Sequence, residues 1–168
     1  MKRVILWALV LGLCLGWISL GFAQTNESKK ALLKGLELKA RQNLKSQEWT
    51  IYLVPLELSK KEKPTVETDI LTFTDMKVKS QNLSAKGYGE SNYSLRVQED
   101  GTATWETMQV NENEDLVFLR GDLKGNQMTG IISMQPKKGA RRDYSFSTTM
   151  PTITTPTVTE EAPKAKRR

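Results

Sequence analysis

From Trp49 onward the apolar residues recur with a period of two, and they keep that period for about a hundred residues. Successive side chains of a strand point to opposite faces, so only extended chain satisfies such a pattern. Trp49, Ile51 and Leu53 alternate with Thr50, Tyr52 and Val54, and Pro55 stops the run. Further runs follow over 70–73, 76–80, 93–97, 102–110, 116–123, 128–135 and 144–147, joined mostly by hairpin-length polar loops. No helix-length pattern interrupts them, which excludes the long crossovers that parallel strands need. The pattern predicts an all-β fold of eight short antiparallel strands in a sandwich or barrel.

One turn fixes a register. Glu99-Asp100-Gly101 is a three-residue loop with glycine last, which suits a type I turn followed by a bulge. Counting outward pairs Val97 with Ala103, Leu95 with Trp105 and Tyr93 with Thr107. The large apolar groups then share one face, while Arg96, Thr104 and Glu106 take the other. A slip of one residue would invert the whole face, so the bulged register is the one expected.

Eight antiparallel strands in up-and-down order close into a barrel and so remove both sheet edges. Trp49 near the start of the first strand is similar to the first-strand tryptophan of lipocalins, although Gln47-Glu48 stands where their pattern has Gly-x. Gly121-Asp-Leu-Lys-Gly125-Asn-Gln-Met-Thr-Gly130 resembles the glycine-punctuated hairpins of such barrels. The resemblance is to the calycin group of lipocalins, avidins and fatty-acid-binding proteins. It is architectural and covers residues 48–149. It implies an eight-stranded up-and-down barrel around one small ligand.

The expected inward set includes Trp49, Tyr93, Leu95, Trp105, Phe118 and Tyr144, and these six are the candidate ligand-binding residues. An apolar lining with a few hydroxyls is the composition of an apolar-ligand pocket, and equally of a plain core. Lys77, Lys79, Arg96 and Glu106 fall on outer faces, which does not suit a barrel facing lipid. Lys137, Lys138, Arg141 and Arg142 crowd one hairpin tip, either to hold an anionic headgroup at the barrel mouth or simply to meet solvent.

Ahead of the strands, Lys2 and Arg3 precede an apolar run over 4–22 that ends in Gly21-Phe22-Ala23. This pattern reads as a signal peptide cleaved after Ala23, or as an uncleaved anchor of the same polarity. It implies export, to a periplasm or as a secreted protein. The one cysteine, Cys14, lies inside this leader, so the exported part has no thiol for disulfides, thiolate catalysis or cysteine-based zinc.

Residues 24–47 form a basic linker whose Leu33, Leu36, Ala40 and Leu44 recur at helical spacing. That stripe suits a spacer, a membrane surface or an envelope partner docking through 26–46. Residues 150–168 form a Thr/Pro and basic tail, too poor in apolar groups to order itself.

The formal net charge is +6, but it resides in the leader, linker and tail rather than on the strands, where thirteen cations meet fifteen anions. A nucleic-acid partner is therefore not expected. No histidine occurs, so Ser-His and Cys-His nucleophile systems cannot be built. The acidic turn at Glu112, Glu114 and Asp115 lacks the spacing of a calcium loop. A non-enzymatic protein without cofactor or metal is expected. Two functions stay open: an exported barrel binding an apolar or amphiphilic small molecule, or a structural or interaction module of the cell envelope with no such ligand.

Overall fold

The computed structural model describes residues 26–57 and 65–152. Residues 1–25, 58–64 and 153–168 lie outside the described residues, and with them the expected signal segment and most of the expected basic tail.

Helix α1 spans 26–45. The strands are β1 (Trp49–Pro55), β2 (Glu67–Thr74), β3 (Lys77–Ser80), β4 (Ser91–Asn92), β5 (Ser94–Val97), β6 (Ala103–Val110), β7 (Leu116–Lys124), β8 (Gln127–Gln135) and β9 (Arg142–Ser147). A five-residue helix α2 (Gln81–Ala85) interrupts them between β3 and β4. The sheet order is β4-β3-β2-β1-β9-β8-β7-β6-β5, every pairing antiparallel, so the first strand meets the last. This is a nearly closed up-and-down barrel.

It contains nine segments because a two-residue strand, β4, precedes Tyr93, where the fourth expected run over 93–97 begins. β4 pairs with β3, and β5 pairs with β6. The Tyr93 N–H donates to the Met76 carbonyl at 2.9 Å, and Thr107 Oγ1 donates to the Asn92 carbonyl at 2.7 Å. One extended stretch thus passes from one neighbour to the other and nearly closes the ring.

The turn at Gln98–Thr102 has the expected register, with Leu95 opposite Trp105 and Val97 opposite Ala103. Gly101 has φ of 82°, a left-handed conformation that glycine adopts without a Cβ penalty. Odd positions of β6 therefore point inward. The five-residue loop over 111–115 then pairs Thr107 with Leu119 and Trp105 with Gly121. That register sends Val117, Leu119 and Leu123 into the core. Phe118, expected inside, instead lies on the outer wall opposite Met108, and this corrects the sequence reading.

Hairpin turns alternate between the two barrel ends, and each end carries a helix. The stripe of α1 is turned onto the barrel, with Ala40 and Leu44 buried in its core. Three side chains of α1 reach three turns of that end: Lys29 pairs with Glu99, Asn43 Nδ2 donates to the Gly125 carbonyl at 2.7 Å, and Lys45 meets Asp75 at 2.7 Å. The Trp49 indole N–H donates to the Leu44 carbonyl, an otherwise unpaired group at the helix end, at 3.0 Å. At the other end Ser80 caps α2 through the Leu83 N–H, and Leu83 is buried beneath it. No helix among the described residues is long and apolar enough to cross a membrane.

Candidate functional site

The interior is filled in cross-strand rows. In the central row Trp105, Gly121, Gly130 and Phe146 stand side by side on β6, β7, β8 and β9. The Trp105 indole lies over Gly121, where a Cβ would meet its Nε1 at 2.5 Å, and the Phe146 ring lies over Gly130. Large, small, small, large is how such a row fills a narrow barrel without a void. Phe73 meets Trp105 and Tyr93 edge to face, at centroid distances of 5.0 and 5.4 Å.

Of the six candidate residues, Trp49, Tyr93 and Trp105 are buried in this core, and Leu95 and Tyr144 pack against its margin. Trp49 sits at the α1 end, Tyr93 and Trp105 near the middle, and Tyr144 beside the opposite end. Phe118 stands apart from all five on the outside. The five are thus distributed along the barrel as parts of its packing.

A small, partly open cavity of about 20 Å³ lies at the α2 end, bounded by Leu53, Leu83, Ile132, Met134 and Tyr144 with Asp69 and Lys86. That is room for one water. Asp69 is 3 % exposed and fully engaged: it accepts from Ser80 Oγ at 2.5 Å, from the Ile70 N–H at 2.7 Å and from the Asn82 N–H at 2.9 Å. A buried carboxylate held by three donors anchors α2 to β2. Gln109 differs. It is 4 % exposed, and neither its Nε2 nor its Oε1 has a hydrogen-bond partner among the described residues.

Outside this cavity, at the same end, lies an open cleft of about 350 Å³. Its walls are the α2–β4 connection (Lys86, Tyr88), the β6–β7 loop (Asn111, Asn113, Asp115) and the β8–β9 hairpin with its flanks (Met134, Pro136, Ala140, Arg142, Tyr144). Asn111 organises the loop, its Oδ1 accepting from the N–H groups of Asn113 at 3.0 Å and Asp115 at 2.9 Å. The basic hairpin tip divides by partner. Lys137 pairs with Glu114 at 2.6 Å and Arg141 with Asp143 at 2.8 Å, whereas Arg142 joins the cleft. Burial pushes the Tyr88 hydroxyl pKa up, and the nearby Asp115 charge pushes it the same way. For Tyr93 burial again raises the pKa, opposed by Arg41 and Lys45 of α1.

Sequence reasoning missed Asp69, Gln109 and Lys86, whose roles depend on long-range pairing. No cluster of His, Cys, Asp and Glu suited to a metal occurs among the described residues. No protein-family model, curated protein or solved structure matches the chain.

Proposed function

We propose that this protein is an exported, non-enzymatic interaction module of the cell envelope, a packed barrel that works through its ends and outer wall. The observation that carries this reading is the interior: Trp105 and Phe146 lie across Gly121 and Gly130 and fill its waist, and the cavity at its α2 end is about 20 Å³, against the several hundred that a small-molecule site occupies. The lipocalin-like resemblance then extends to strand order, while the ligand chamber of such proteins is replaced by Trp105, Phe146 and their neighbours. The export expectation rests on the leader, with its Lys2-Arg3 start and small-x-small end.

The expected partner meets the surface rather than the core. Met108, Val110, Leu116 and Phe118 lie together on the outer wall of β6 and β7, with Met108 63 % exposed, and form an apolar area of the kind that marks contact sites. The test is displacement of a lipophilic dye by fatty acids, run beside crosslinking in intact cells. The reading expects no dye in the barrel and a crosslinked partner. Stoichiometric dye uptake that quenches the buried tryptophans would return the protein to the carrier reading.

A small apolar molecule held at the mouth, rather than inside, is a second reading, favoured by the open cleft beside α2.

A further inference from the structure

We infer that the mouth cleft is a binding site for the carboxylate of a small apolar acid, with Arg142 and Lys86 as its headgroup residues. The inference rests on the second reading above and names the site and ligand class.

The charges at this end are unevenly matched. Lys137 and Arg141 have carboxylate partners, but Lys86 and Arg142, both lining the cleft, make no ion pair with any described residue. Asp115 is the one carboxylate among the lining residues, and its oxygens are already engaged. Oδ1 accepts from the Lys137 N–H at 2.8 Å, and Oδ2 from Asn111 Nδ2 at 3.3 Å. Two cations thus face one occupied anion, leaving the cleft one positive charge in excess. An arginine fork matches a carboxylate with two parallel hydrogen bonds, and a lysine adds a point charge.

The rest of the lining specifies what the carboxylate is attached to. Met134, Pro136, Ala140 and the ring of Tyr144 give an apolar floor. The hydroxyls of Tyr88 and Tyr144 have no hydrogen-bond partner among the described residues, so both are available to a second carboxylate oxygen. Beneath the floor, Gln109 shares an inward cross-strand row with Val117, Met134 and Arg142, and its amide is unpartnered. A cleft of about 350 Å³ accommodates an acid of about eight carbons, or one terminal residue of a peptide. Free acid and chain terminus present the same chemistry, so the experiment separates them.

The full chain, carrying 13C-methyl methionine, is titrated with octanoate below its micellar concentration and with octyl glucoside. It is titrated in parallel with N-acetyl-Ala-Leu as free acid and as amide. The expected result is saturable binding of at least one acid, shifting the Met134 methyl and leaving Met128 still, with neither uncharged analogue binding. Arg142→Gln and Lys86→Gln, both at exposed side chains, should each weaken that binding about tenfold or more while the spectrum stays folded. The tighter of the two acids identifies the source. Absence of saturable binding by both acids, equal binding of the amide, or unchanged affinity in Arg142→Gln overturns the site alone. A shift at Met128, which is buried deep in the barrel, overturns the site and the packed-barrel reading together.

Discussion

Where Trp105 and Phe146 fold across the barrel, Gly121 and Gly130 supply the volume that the two rings take up, so residue size is tightly fixed there. An alanine at Gly121 would press its Cβ to 2.5 Å from the indole Nε1. The ring can tilt, so Gly121→Ala should destabilise by about 1–3 kcal/mol in urea unfolding, the range for overpacked cores. At Gly130 the Cβ would meet the Arg120 carbonyl oxygen as well as Phe146, and a backbone atom inside a paired strand has nowhere to go. Gly130→Ala should therefore be the worse of the two. Gln109 makes the opposite case: its amide is buried and unpartnered, so the near-isosteric Gln109→Met should stabilise by about 1 kcal/mol. A loss of stability in the same denaturation series would mean that a tightly held water, or a bound group, satisfies that amide.

Each element shows a different degree of legibility. The hairpin joining β5 and β6 could be read outright, because Glu99-Asp100-Gly101 encodes its own turn and the turn encodes the register. The face of β7 was equally available, since Val117, Leu119 and Leu123 outnumber Leu116 and Phe118 on alternate positions, but the largest ring drew the wrong inference. Helix α2 offered no signal: five residues are too few for periodicity, and the burial of Asp69 depends on Ser80 and the Asn82 N–H arriving from elsewhere to join its neighbour, the Ile70 N–H. For α1 the stripe left a spacer, a membrane surface and a docking partner open, and in the fold its Ala40 and Leu44 pack on this barrel's own end. Its energetics follow from that docking. Leu44 is fully buried and Leu38 is 58 % exposed on the same helix. Leu44→Ala should cost about 2–5 kcal/mol of stability, and Leu38→Ala within about 0.5 kcal/mol of nothing. Equal, small effects in thermal unfolding would mean that α1 is the mere spacer its sequence also allowed.

Among the described residues no side chain has an ordinary pKa between the carboxylates and the tyrosines, because the chain has no histidine and its one cysteine, Cys14, lies in the leader, so the stability of the barrel should be nearly level from about pH 6 to 9. The limits on either side follow from signs. Asp143, held down chiefly by the Arg141 hydrogen bond, then by Ser133, has a folded pKa below its ordinary value. Its contribution is complete above the ordinary value of about 3.9 and is lost as pH falls through the depressed one. Tyr93, raised by burial, works in reverse: its contribution is complete below about 10 and is lost as pH rises through the folded value. Tyr93→Phe should flatten the alkaline limb of a pH series of urea midpoints and leave the acid limb as it was. The same packing argument predicts what it would take to turn this barrel into a carrier. Trp105 is fully buried, contacts Phe73 and Phe146, and fills the waist that a ligand would need. Trp105→Ala should destabilise by about 3–5 kcal/mol and leave a dry, aromatic-walled void of the kind that takes up benzene or xenon. Trp105→Leu, less severe, should show a weaker version of the same uptake if the alanine variant does not fold. The native chain should take up neither probe in its interior. If it binds benzene as well as the variants do, the barrel already has the room that its packing denies, and the case for a surface-acting module fails on that measurement.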